Sequence, residues 1–232
     1  MLPRSPSPNS HRQRHLQRRG TVGLYFVAAL SVLAGMTDAI GFLATGDFVS
    51  FMSGNTTRLA VSLGNAEWGP IARLALVIGA FILGNALGVI VAARSGRRHW
   101  PLLGLIGLLL ALAGLLPEAL QLAALLAAVT AMGMINAVVE EVNGLPIGLT
   151  YVTGALSRFG RGLGRTLLGQ QRLGWRVQLV PWSGMFIGAV LGVLLEQRFE
   201  RAALLASALV AVMLALASWK IPRRWQLRYM PR

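Results

Sequence analysis

The run VGLYFVAALSVLAGMTDAIGFLA, from Val22 to Ala44, carries a single charged residue, Asp38, in 23 positions. A helix needs about 20 mostly apolar residues to cross about 30 Å of hydrocarbon, so this run predicts a membrane-spanning helix. Arg18 and Arg19 just before it would also suit a secretory signal. The run is longer than a signal core and has a counterpart later in the chain, which predicts a retained first span. Further apolar runs near 71–93, 102–116, 119–139, 177–195 and 202–219 bring the expected count to about six. Pro101 and Pro117 bracket the third run, and Pro117-Glu118 reads as the tight turn of a helical hairpin, because proline disfavours continued helix. Pro222 closes the last run.

Composition agrees. The 232 residues are 55% hydrophobic and 13% charged, with a mean hydropathy of +0.61, too little charge for a water-facing surface of this size. The net charge of +14 raises nucleic acid as a partner. However, the arginines sit in the termini and between apolar runs, where positive charge orients membrane helices. No nucleic-acid partner is expected. There is no Cys, which excludes thiolate chemistry and Cys-ligated metals. His11, His15 and His99 fall in basic polar segments, so neither a metal site nor a cofactor is expected.

With six spans and both termini inside, 18 of the 22 basic residues lie on the inner side, leaving Arg58, Arg73, Arg198 and Arg201 outside. A seventh span over 48–64 would put Arg94, Arg97 and Arg98 outside, against the positive-inside rule. The expected partners are the bilayer and the anionic lipids of its inner leaflet, with self-association left open.

The second half of the chain resembles the first. Gly35-Met36-Thr37-Asp38-Ala39-Ile40 corresponds to Gly133-Met134-Ile135-Asn136-Ala137-Val138 at an offset of 98. The stretch from Ser50 to Leu59 corresponds to that from Thr150 to Phe159 at an offset of 100, and Leu83–Val89 to Ile187–Val193 at 104. The blocks keep their order. The expected organisation is therefore all-α: a disordered basic tail (1–20), a first three-helix repeat (21–117), a second (118–221) and a basic tail (222–232). Three spans per repeat would turn the second repeat over, as in many secondary transporters. The Gly54 motif would then approach from outside and the Gly154 motif from inside.

The same residues carry a family resemblance. Asp38-Ala39 with Gly41-Phe42-Leu43, then Phe48 through Leu59, resembles the signature of the YoaK family of bacterial inner-membrane proteins, a domain of unknown function. Thr150-Tyr151-Val152-Thr153-Gly154 followed by Leu156 is similar to the family's second motif, with departures at Ile135 and Leu149. The resemblance spans roughly 22–220 and implies location in the bacterial inner membrane and this architecture, with no established activity.

Asp38 lies in an apolar run, where a carboxylate costs roughly 2.5–3.5 kcal/mol at a helix centre. It is either a coupling or solute-contacting group, or a partner for backbone freed where the helix breaks near Gly41 and Gly46; Asn136 at the paired position suits the latter. Ser53-Gly54-Asn55-Thr56-Thr57-Arg58 reads as a turn and capped helix start. Inside a protein-lined cavity such a start suits an anion or polar solute, and the alternative is an interfacial segment with Arg58 snorkelling. Gly154 and Arg158 repeat the pattern, so the candidate solute site comprises Asp38, Ser53, Gly54, Asn55, Thr56, Thr57, Arg58, Asn136, Thr153, Gly154, Ser157 and Arg158.

Gly84-xxx-Gly88 and Gly184-xxx-Gly188-xxx-Gly192 are helix-packing faces, and Asn85 is expected to bond to a neighbouring helix. Gly160-Arg161-Gly162-Leu163-Gly164 lacks the context of a nucleotide loop and reads as a flexible basic segment. No motif of hydrolytic or metal-dependent enzymes is present, and no enzymatic activity is expected. The resulting expectation is a small-solute, anion-leaning permease, with a structural, sensory or assembly protein as the rival.

Overall fold

A computed structural model describes residues 8–142, 145–170 and 174–230. Residues 1–7, Arg172 and Arg232 lie outside it, as do the side chains of His11 and His15. The helices are α1 (Pro8–Thr45), α2 (Met52–Gly64), α3 (Trp68–Arg94), α4 (His99–Leu115), α5 (Gln121–Ile135), α6 (Val152–Leu167), α7 (Leu179–Phe199), α8 (Leu204–Ser218) and α9 (Arg223–Tyr229). A two-residue hairpin pairs Glu141 with Pro146 and Val142 with Leu145.

Among the described residues, four helical stretches are long and apolar enough to cross a membrane: Arg18–Thr45, Trp68–Arg94, Glu118–Ile135 and Trp175–Ser218. The last is broken at Glu200, whose φ of 49° folds α7 back into α8. With α4, a shorter apolar helix, the apolar helices number six. At 1.5 Å per residue, the 17 residues of α4 span about 26 Å, slightly less than a hydrocarbon core. Leu76, Ile82, Leu83, Leu87, Val89 and Ile90 of α3 are exposed. That apolar surface is stable against lipid and unstable in water.

The helices pack in pairs on glycine. In α1 and α7, a Cβ at Gly35 would strike the carbonyl of Met185, and one at Gly188 that of Val32. In α3 and α5, Gly133 meets the carbonyl of Phe81 and Gly84 that of Thr130. Small residues let the backbones approach where lipid supplies no hydrophobic drive. Gly35 to Gly133 and Val32 to Thr130 are offsets of 98; Phe81 to Met185 and Gly84 to Gly188 are offsets of 104. These are the offsets of the sequence blocks. α4 packs against α8 and α5.

Several local expectations are corrected. The segment 8–20 is the start of α1, because Gln, Arg and Leu propagate helix well from an apolar nucleus. The fourth apolar run is α-helical only to Ile135; beyond it Asn136, Ala137 and Val138 continue in tighter turns, their N–H groups donating to Gly133 O, Met134 O and Ile135 O. Gly160–Gly164 is helical within α6, where Gly162 admits the Trp175 ring, itself 5.0 Å from Phe159. The C-terminal segment is no free tail: α9 lies across helix ends, with Tyr229 Oη donating to Arg19 O at 2.6 Å and Glu140 N donating to Tyr229 O at 2.6 Å. Burial pushes the Tyr229 phenol up to about 12, against a smaller downward pull from Arg19, so it remains a donor at any physiological pH. His99 is buried, its ring 5.1 Å from Phe26 and 6.3 Å from Tyr229. As the first residue of α4 it faces the bundle, which its basic neighbours in sequence conceal.

Candidate functional site

Two turns precede α2 and α6. The first, Asp47–Phe51, follows α1, and Asp38 of α1 holds it: Oδ1 accepts Val49 N at 2.8 Å and Ser50 N at 2.6 Å. Asn55 fastens the same turn from the other side, donating through Nδ2 to Phe48 O at 2.7 Å and accepting Phe48 N at 3.2 Å. Asp38 and Asn55 are buried, and each satisfies backbone that helix no longer satisfies. The second turn, before α6, is held by Asn136, whose Oδ1 accepts Thr150 Oγ1 at 3.0 Å. Its Nδ2 donates to Asn85 Oδ1 at 3.2 Å, so Asn85 does bond to its neighbour across α3 and α5. The corresponding pairs Asp38–Ser50 and Asn136–Thr150 are thus both in contact, the first through the backbone N–H of Ser50 and the second through the hydroxyl of Thr150.

The two turns face each other across a cavity of about 860 Å³. Ser50, Phe51, Met52 and Ser53 line it from one side; Thr150, Tyr151, Val152, Thr153 and Leu156 line it from the other. Asn136, Phe81 of α3 and Trp182, Met185, Phe186 and Ala189 of α7 complete the wall. No charged side chain is among these. Gly54 and Gly154 stand behind the wall, where a Cβ would strike the rings of Phe51 and Tyr151. Glycine at both positions therefore lets an aromatic ring fold over the start of each helix.

Of the sequence-derived site residues, Ser53, Asn136 and Thr153 line the cavity, while Asp38, Gly54 and Gly154 shape it. Asn55, Thr56, Thr57, Arg58, Ser157 and Arg158 do not reach it. Thr56 and Thr57 bond back to Met52 O and Ser53 O at 2.8 and 3.1 Å, and Ser157 accepts Arg161 Nη1 at 2.7 Å. Arg58 donates to Gly46 O at 2.5 Å and pairs with Asp47 at 2.6 Å. Arg73 of α3 pairs with the other oxygen of Asp47. Arg158 donates to the buried Gln178 at 2.8 Å. The cationic lining expected from the Arg58 and Arg158 motif is not what the cavity has, because both guanidinia find partners elsewhere.

The aromatic wall and the Asp47 cluster were not foreseen. The shared aromatic at Phe51 and Tyr151, three residues before each glycine, was the available signal. Among the described residues, no group of three His, Cys, Asp or Glu side chains comes together as a metal site would require.

Both donors at Asp38 reach one oxygen, so Asp38→Asn is expected to keep them and cost no more than about 1 kcal/mol. Asp38→Ala orphans two buried N–H groups and should cost about 2–5 kcal/mol, since each unmade bond costs about 1–3. Equilibrium unfolding in mixed detergent micelles measures both. Equal losses in the two variants would mean that the charge, not the acceptor, holds the turn.

Glycine-packed apolar helices, an outward lipid-compatible face and a protein-lined polar break define an all-α, multi-pass membrane protein. The chain belongs to the DUF1275 family, described as proteins of unknown function, which it matches over residues 26–217. This agrees with the resemblance carried by Asp38 through Leu59. It is 50% identical over 213 residues to a Rhizobium meliloti (strain 1021) protein described as UPF0700 transmembrane protein RA0705, covering 92% of this chain and 93% of that one. No solved structure matches it.

Proposed function

We propose that this protein is a small-solute permease built from two inverted three-helix repeats, with its solute site in the cavity between the two turns. The observation that carries this reading is that the cavity is lined by corresponding residues of both halves: Ser50 and Thr150, Phe51 and Tyr151, Ser53 and Thr153, Phe81 and Met185. The paired glycine contacts support the repeat, because each has a counterpart at the same offsets. Broken helices meeting near the midplane at a repeat interface are where secondary transporters bind solute. The arginine distribution supports termini on the inner side of a bacterial inner membrane, with anionic lipid around the basic ends.

The lining favours an uncharged solute over an anion. Aromatic faces and thioethers supply apolar contact, while Ser53, Thr150, Thr153 and Asn136 supply hydrogen bonds and no charge. A site of few polar groups in an apolar wall suits a small molecule with a flat apolar face and one or two polar edges. The structural or assembly reading is favoured by one observation: Asp38, Asn55 and Arg58 hold backbone at the first turn, and Arg158 is bonded to the side chain of Gln178.

The test is a thermal-shift screen of the purified protein against uncharged aromatic and amide solutes, sugars and small anions. It is run beside Ala189→Trp, which fills the cavity. A ligand at about 100 times its Kd stabilises by about 2.7 kcal/mol. An uncharged solute is expected to raise the melting midpoint of the parent and not of Ala189→Trp, and to show saturable flux in proteoliposomes. No shift from any solute, with Ala189→Trp still folded, would turn the reading to a structural or partner-binding protein.

A further inference from the structure

We propose that the corner where α4 begins and α8 ends is a binding site for the phosphate group of an anionic phospholipid. A recess of about 480 Å³ there is lined by Arg98, Trp100, Trp219, Arg223 and Gln226, with no acidic side chain. The other end of the same helix pair provides the contrast. Where α4 ends and α8 begins, Arg201 Nη2 lies 3.3 Å from Glu118 Oε1. One corner is neutralised by the protein itself, whereas the other presents two guanidinia with no carboxylate. Among the described residues, neither Arg98 nor Arg223 takes part in a salt bridge.

The local fold builds the recess. α3 ends in a turn in which Gly96 (φ 65°) and Arg97 (φ 57°) are left-handed, with Gly96 N donating to Ala93 O at 3.2 Å and Arg97 N to Ala92 O at 2.7 Å. This doubly bonded helix end delivers Arg98 to the start of α4. Arg223 Nη2 leans on Gly96 O at 3.4 Å from the opposite side. Beneath them the buried Gln226 accepts His99 N at 3.1 Å and donates to Ser218 O and Ile221 O at 2.9 and 2.8 Å. These bonds tie the α3–α4 connection to the α8–α9 connection and hold the two arginines across one opening.

Arginine forks suit phosphate oxygens, which a soluble phosphate ester could also supply. The indoles select the lipid. Trp100 and Trp219 stand edge to face at 6.1 Å, both are exposed, and they sit at the ends of apolar helices, the level at which tryptophan meets headgroups. A free phosphate ester has no use for that apolar wall, whereas the glycerol and upper acyl carbons of a phospholipid do.

The test uses the full chain, stripped of lipid in neutral detergent, with phosphatidylglycerol or phosphatidylcholine added back and retention followed by native mass spectrometry. Phosphatidylglycerol is expected to be retained over phosphatidylcholine. Arg98→Gln and Arg223→Gln should each weaken retention roughly fivefold, the scale of one arginine at an anionic headgroup, while Arg224→Gln leaves it unchanged. Both target side chains are exposed, so the variants are expected to keep the parent's melting midpoint. Undiminished retention by the double variant, or an equal loss in Arg224→Gln, would overturn the site. Soluble glycerol phosphate binding as strongly as the lipid would overturn the assignment to lipid.

Discussion

Gly188→Val is expected to force α7 away from α1 and destabilise the protein by about 3 kcal/mol or more, with loss of monodisperse protein in detergent. A Cβ at this position would overlap the carbonyl of Val32, and a backbone atom in mid-helix cannot rotate aside as a side-chain end could. Overpacking normally costs about 1–3 kcal/mol when neighbours can shift; here the whole helix must move. Gly184 and Gly192 hold the same approach one turn away on either side, against Ala28 and Ser31 and against Met36, so the displacement propagates along the interface. Gly79 of α3 is the control, since a Cβ there meets nothing within 4 Å. Gly79→Ala is expected to be neutral or to stabilise by about 0.5–1 kcal/mol, the helix penalty of glycine relative to alanine. Equal behaviour of Gly188→Val and Gly79→Ala in an unfolding titration would mean that the α1–α7 contact is not as close as described.

That contrast also shows which information the sequence carried. Gly79 and Gly188 are both glycines in apolar helices, and only the four-residue spacing of Gly184, Gly188 and Gly192 marked the second as a packing face. The spans were legible for the same reason: hydropathy and spacing are properties of a single segment, read from Val22–Ala44 without knowing what it touches. Partnerships are not. Ser53, Asn136 and Thr153 could be assigned to one locus because their blocks repeat, but the destination of Arg58 depends on how the chain turns between Gly46 and Phe51. The same blindness hid His99, whose polar neighbours in sequence said nothing of the face it presents to Phe26 and Tyr229. Gly160–Gly164 reads from sequence as a flexible basic segment, yet it is helical, with Gly162 against Trp175, despite a propensity cost of about 1 kcal/mol per glycine.

The Asp47 cluster yields the second large effect, and its sign depends on which charge is removed. Asp47 is 3% exposed and receives both Arg58 and Arg73, whose side chains are 44% and 33% exposed. Removing Asp47 leaves two guanidinia that water can reach, so Asp47→Ala is expected to cost only about 1–2 kcal/mol, the lost contacts being partly offset by relief of a buried charge. Removing both arginines leaves the carboxylate buried without a counter-charge, and Arg58→Gln with Arg73→Gln is expected to cost about 3–5 kcal/mol. Each arginine also carries a carbonyl, Gly46 O for Arg58 and Thr45 O for Arg73, so the double variant frees the turn that lines the cavity as well as the ion cluster. Adding Asp47→Asn to the double variant should then recover much of the loss, because the buried charge is gone while the polar side chain remains. Unfolding free energies for the single, double and triple variants at one salt concentration decide it. A triple variant no more stable than the double would place the cost in the carbonyl contacts, and a loss in Asp47→Ala as large as in the double would mean that the arginines, not the carboxylate, are the desolvated partners.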